Sequence, residues 1–265
     1  MTDAVSISQD DLALLRNAKE TLENPSLAAK LQNALGKPIE EGMKWLPERW
    51  SDVIHNSTNA AITKALDVAA KSLFAEKSKG PSNTLHKVLV AASGAAGGAF
   101  GIVSLPVELP VSTVIMLRSI ADIARSEGED VQSLEARLSC LEVFALGGKG
   151  SAAEAAETGY FAVRTILSKE LTDVAKYLAK SGATSASAPA LMRFVSSIAS
   201  RFGVVVSQKT IAGAVPIIGA AGGALINTIF IGHFQDMARG HFCVRRLERK
   251  YGKEIVREAY DSMPI

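Results

Sequence analysis

The chain has 265 residues, a formal charge of +2, and 48% hydrophobic residues of which few are aromatic, at 6% of the chain. That length supports a substantial core, and near-balanced charge argues against a strongly basic nucleic-acid surface, so no DNA partner is expected. Alanine and glycine carry much of the apolar content, which favours close helix packing over an aromatic-rich β-sandwich.

The opening MTDAVSISQDDLALL places acids where a signal peptide needs a basic region and a long apolar core, so the expected compartment is the cytoplasm. Ser8 is suited to cap a first helix, with Leu12, Leu15 and Leu22 along one stripe. Asn24-Pro25-Ser26 breaks it, and a second short helix ends near Gly36. A connector follows with Trp45, Pro47 and Trp50. The two tryptophans read as a packing anchor, the alternative being a membrane-interface pair. Residues 60–74 form an amphipathic helix that Lys79-Gly80-Pro81 stops.

Residues 88–107 carry no charge. A helix from Leu85 is expected to end near Val103, because Pro106 and Pro110 flank Glu108 in what reads as a loop. Further helices are expected over 111–126, 133–146, 151–168 and on to Lys180. Residues 181–189 read as a surface connector, and 190–202 as another helix. Val204-Val205-Val206 is the one run with strand character, and it has no evident partner. A last long helix starts at Pro216 and continues to Tyr251, where Gly252 punctuates it before a tail helix. The expected fold is all-α, a multi-helix globular bundle of about nine or ten helices with a Gly/Ala-rich central helix pair. An N-terminal helical region (1–80) and a helical core (81–265) are expected to form one integrated domain.

The central pair is inferred from a repeat. GAAGGA occurs at Gly94 and again at Gly219, each time in an uncharged run. Small residues at this spacing share a helix face and let two backbones approach. Glycine costs about 1 kcal/mol of helix propensity relative to alanine, so contact must offset that loss. The first run also has roughly the length that crosses a bilayer. Its low bulk and its proline-rich end favour a buried hairpin over a span, with reversible insertion as the alternative.

The string GAAGGAFGIVSLPVELPVSTVIMLRSIADIARSEGED resembles the central signature of the EcsC family. So do LEVFALGG from Leu141, GYFAVR from Gly159, and VPIIG from Val215 running on to Asn227, in the family's order. The family pattern tends to Asp before the second proline of the loop, where this chain has Glu108 and Leu109 before Pro110. The resemblance implies a bacterial α-helical protein, associated by gene neighbourhood with an ABC exporter, with no settled biochemical activity.

Polar residues in apolar surroundings are the candidate site. Arg118, Asp122 and Arg125 share one helix face, with Glu108 before them, Glu142 on the next helix and Arg164 beyond. These read as an internal ion-pair network locking helices together, or else as a pocket for an anion, a metal or acid–base chemistry. On the last long helix Asn227 interrupts an apolar face, and His233, Asp236 and Arg239 recur every third residue. Asp122/Arg125 and Asp236/Arg239 each follow a GAAGGA, which suggests duplication or chance. No HExxH, GxSxG, Walker A or CxxC pattern is present, and no cofactor is expected. A Cys140–His233–Asp236 hydrolase is conceivable on residue type alone, but Cys140 sits among apolar neighbours. His233 with Asp236 is too sparse for a metal site, so none is assigned. Arg245, Arg246, Arg249, Lys250 and Lys253 are candidates for lipid headgroups or other anions, against a solvated face with Arg–Glu pairs.

The expected function is that of a cytoplasmic accessory protein that works by binding, at the membrane surface as a peripheral protein or with a membrane transporter. The alternative is a hydrolase with a carboxylate- and arginine-lined site, with or without a metal.

Overall fold

The computed structural model describes residues 7–24, 27–36, 39–71, 104–148, 159–181, 188–214 and 219–264. Among them the chain is all helical, with α1 (Gln9–Glu23), α2 (Leu27–Leu35), a 3-10 helix (Ile39–Trp45), α3 (Trp50–Ala70), α4 (Leu105–Ser126), α5 (Leu134–Leu146), α6 (Tyr160–Ser181), α7 (Pro189–Gly213), α8 (Gly219–Tyr251) and α9 (Lys253–Ser262).

Local signals set several ends. The Ser8 hydroxyl accepts from the Asp11 amide and the Ser133 hydroxyl from the Ala136 amide, each satisfying an orphan donor of a first turn. Gly252 sits at φ 96°, where an L side chain is strained, and the chain turns there between α8 and α9.

Three elements differ from the sequence reading. Helix α4 begins at Leu105, so Pro106, Glu108 and Pro110 lie inside a helix and not in a loop. Pro106 occupies the first turn, where its missing N–H has no intrahelical partner to lose. Pro110 then removes a bond only from the carbonyl of residue 106, close to the frayed end. Helix α3 starts at Trp50, well before Ala60. Val204–Val206 lies within α7, with Val205 and Val206 buried, so burial overrides their β-branched preference.

The helix at the centre is α5. Every residue from Ala136 to Leu146 is buried, and α3, α4, α6, α7 and α8 all pack around it. A helix surrounded on every side has no polar face to show, and SCLEVFAL reads that way. Phe144 anchors it against Phe202 of α7 and Phe234 of α8, with ring centroids 5.1 and 5.3 Å away. Gly148, just past α5, packs against α7 so closely that a Cβ there would meet the Arg201 carbonyl oxygen at 2.5 Å.

The expected Gly/Ala-rich central pair falls partly outside the described residues. The first GAAGGA and residues 88–103 of the uncharged run around it lie outside the described residues. The second opens α8, where Gly222, Gly223 and Ala224 are half-buried. Around the centre, α1 runs along α8, and α3 lies against α4 and α7. One buried apolar cluster joins Leu15, Ile62, Ile120, Phe144 and Phe234.

Candidate functional site

The polar candidates fall into separate groups. Glu108 and Asp122 lie on one helix fourteen residues apart, about 21 Å along its axis. No single pocket can therefore collect Glu108, Arg118, Asp122, Glu142 and Arg164, and the expected joint network is not formed.

The first group ties the start of α4 to the end of α7 and the start of α8. Lys209 donates to Glu108 at 2.8 Å and the Asn227 amide donates to the same oxygen at 3.3 Å. The Lys209 ammonium also stands over the Phe230 ring, 4.9 Å from its centroid. Lys209 is not among the site residues expected from the sequence. Its partner is remote in the chain, so no spacing rule connects the two.

The second group lies between α5, α6 and α8. Arg164 makes a two-pronged pair with Glu248, at 2.8 and 3.0 Å. Nearby, the Tyr160 hydroxyl and His241 Nδ1 share a hydrogen bond of 3.1 Å. His241 Nε2 stands 3.9 Å from Glu142, beyond hydrogen-bond reach. Burial pushes the Glu142 carboxyl up to about 7, against the partial offset of Arg164 and Arg245. Burial, with the same two arginines, holds His241 well below the usual imidazole range. Glu142 beside His241 has the elements of acid–base chemistry, yet both side chains are buried and neither lines either of the clefts described below.

The third group holds the basic end of α8. Arg245 and Arg249 converge on Glu129, Arg246 pairs with Glu127 at 3.0 Å, and Lys250 pairs with Asp11 at 2.7 Å. Burial pushes Glu129 up, but hydrogen bonds and charge from Arg245 and Arg249 outweigh it and hold the carboxyl below its usual range. Lys250 and Tyr251 hold Asp11 down to about 2. Lys253 is exposed and makes no ion pair among the described residues. The turn Gly128-Glu129-Asp130 between α4 and α5 thus supplies the carboxylate that organises this end.

The remaining candidates make local contacts. Asp122 pairs with Arg125 at 2.7 Å and Asp236 with Arg239 at 2.9 Å, so both Asp-x-x-Arg motifs are intrahelical pairs. Arg118 is exposed. Asp236 also receives Lys30 of α2 at 2.9 Å, beside a cleft between α1 and α8 of about 770 Å³. His233 lines that cleft, and its Nε2 stands 3.0 Å from the Gly147 carbonyl oxygen. A Cys140–His233–Asp236 triad does not assemble. Cys140 is fully buried, its thiol pushed up by burial, while the other two are engaged elsewhere. A second cleft, about 690 Å³, lies between α3 and α7 beside Leu66, Leu191, Met192 and Val195. No group of His, Cys, Asp and Glu suited to a metal occurs among the described residues.

Ion pairs thus join α1, α2 and α6 to α8, the longest reaching from Asp11 to Lys250. A model described as the EcsC protein family matches residues 9–247. The chain belongs to the EcsC family. No curated protein and no solved structure matches it. The matched span of this EcsC protein includes Asp11, Glu129 and Arg245 and both glycine runs, and it ends before Arg249 and Lys250.

One end of this EcsC protein is apolar outside as well as inside. Val107 and Val111 on the first turns of α4 are 76% and 53% exposed, and Trp45 is 64% exposed. Met43 and Leu225 are exposed too. Gly42 packs on Ile211, two residues past Lys209, and Leu225 lies two residues before Asn227. The Glu108–Lys209–Asn227 contacts tie together the start of α4, the end of α7 and the first turns of α8, the segments that carry Val107, Val111 and Leu225. Trp50, by contrast, packs against the core.

Proposed function

We propose that this EcsC protein attaches peripherally to the cytoplasmic surface of a membrane through the end of the bundle that displays Trp45, Val107, Val111 and Leu225. The observation that carries this reading is the exposure of large apolar side chains on the first turns of α4 and α8 and on the 3-10 helix, the first two elements being joined through Glu108. Exposed apolar residues scattered singly need no explanation, but a group of them at one end marks a binding surface. Tryptophan suits the headgroup level, where its ring is apolar and its N–H stays wet. The uncharged stretch 88–107 leads directly into this end.

The attachment is of the surface kind. Residues 189–214, spanning α7, are long and apolar enough to cross a bilayer. However, Phe194, Ile198, Phe202 and Val205 on that helix are core residues, so insertion would dismantle the body. The basic residues of α8 contribute to the fold through Glu127, Glu129 and Asp11, and apolar contact supplies the attachment.

Liposome flotation tests the reading. The wild-type chain is expected to float with vesicles, and the Val107→Ser/Val111→Ser variant to stay in the dense fraction. Equal behaviour of the two proteins contradicts it.

A further inference from the structure

Where α5, α6 and α8 meet, three buried polar side chains stand in file, and they line neither cleft. Tyr160, His241 and Glu142 keep only 2%, 0% and 4% of their exposure. The Tyr160 hydroxyl and His241 Nδ1 are 3.1 Å apart, within hydrogen-bond reach. On the other side of the ring, Nε2 faces Glu142 Oε2 at 3.9 Å and has no hydrogen-bond partner among the described residues. A buried ring nitrogen left unpaired is costly. A carboxyl shift of about 1 Å brings the two groups to hydrogen-bond distance.

Either protonation state of Glu142 then satisfies the file, but each demands a different tautomer of the imidazole. A protonated carboxyl donates to Nε2, so Nδ1 carries the ring hydrogen and donates to the Tyr160 oxygen. An ionised carboxyl accepts from Nε2–H, so Nδ1 is bare and accepts the Tyr160 hydroxyl hydrogen. The acidic form holds one hydrogen more than the basic form, and that hydrogen leaves to solvent as a proton. We propose that Glu142, His241 and Tyr160 form a pH-sensitive relay at the junction of α5, α6 and α8, in which loss of the Glu142 proton moves the ring hydrogen of His241 from Nδ1 to Nε2.

The surroundings decide which group titrates. Among the described residues, the charged groups that bear on the pair are Arg164 of α6, Arg245 of α8 and Glu135 of α5 itself. Arg164 is committed to Glu248 and Arg245 to Glu129, so Glu142 has no cation of its own. Both guanidinium charges still oppose an imidazolium, and burial opposes it further, so His241 stays neutral. The proton that comes and goes is therefore the carboxyl's. Burial carries that carboxyl up to about 7, into the neutral range.

The test uses the full chain labelled with nitrogen-15 at histidine, four residues in all. The His241 ring is assigned from its loss in His241→Gln or, where that variant does not fold, by elimination with His55→Gln, His86→Gln and His233→Gln. Long-range proton–nitrogen spectra show which ring nitrogen carries the hydrogen. Between about pH 5.5 and about pH 8.5 the hydrogen is expected to pass from Nδ1 to Nε2, with its midpoint at about 7. In Glu142→Gln, which has no carboxyl to titrate, His241 is expected to keep one tautomer at every pH. A wild-type ring that keeps one tautomer across the range overturns the proposal. So does a ring that takes a hydrogen on both nitrogens, or a transfer that persists in Glu142→Gln.

Discussion

Lys209 donates to Glu108 at 2.8 Å, and the two side chains keep only 9% and 13% of their exposure. This pair fastens the first turn of α4 to the last turns of α7, at the end of the bundle that bears the exposed apolar side chains.

Breaking one side of the pair is expected to cost more than removing both. Glu108→Ala leaves a buried ammonium with only the Phe230 face for company, and should destabilise the fold by about 3 kcal/mol. Glu108→Leu combined with Lys209→Met should cost clearly less, since no charge is then stranded. Urea denaturation of Glu108→Leu, Lys209→Met and the double closes the cycle. Additive losses would show that the pair has no coupling of its own.

Two buried groups set opposite pH limbs. His233 has a folded value depressed to about 4, so the unfolded chain binds more protons between that value and 6.5, and stability rises with pH across this window. Glu142 has a folded value raised to about 7 from 4.5, so the folded chain binds more protons there, and stability falls as pH rises through the window. Glu142→Gln keeps the shape and removes the second titration. It is expected to gain roughly 3 kcal/mol at pH 8 relative to its effect at pH 4. Chemical denaturation at the two pH values checks this, and a pH-independent effect would place an ionised Glu142 at no disadvantage in the fold.

Gly148→Ala is expected to destabilise by about 3 kcal/mol. The added carbon would meet the Arg201 carbonyl, which α7 holds in place, so backbone must move. A thermal melt close to wild type would mean that the α5–α7 contact yields easily.

Arg245→Gln is expected to lower stability by about 1–2 kcal/mol and leave vesicle binding unchanged. The arginine is mostly buried against Glu129, while Arg249 keeps that carboxylate partly compensated. Flotation lost in step with the charge would return the attachment to the basic end of α8.

What the sequence made legible was local. Ser8 and Ser133 announce helix starts because the cap and its amide lie three residues apart, and Gly252 announces a stop because its conformation is its own. What it concealed was tertiary. Pro106 and Pro110 look like a loop until Pro106 falls in a first turn, and Val204–Val206 looks like a strand until the bundle buries Val205 and Val206 within α7. The charged candidates suffered most. Arg164 was visible but Glu248 was not, and Glu108 was visible but Lys209 was not, because these partners are 84 and 101 residues apart. Spacing along a helix identifies Asp122 with Arg125, and nothing in it reaches Glu129 from Arg245.

The most direct measurement of the attachment uses the chain's own fluorescence. There are two tryptophans, and Trp50→Phe leaves Trp45 as the single emitter. With vesicles containing brominated lipid, the account predicts that Trp45 emission shifts to the blue and is quenched. Emission unchanged by vesicles, with the protein folded, would contradict it.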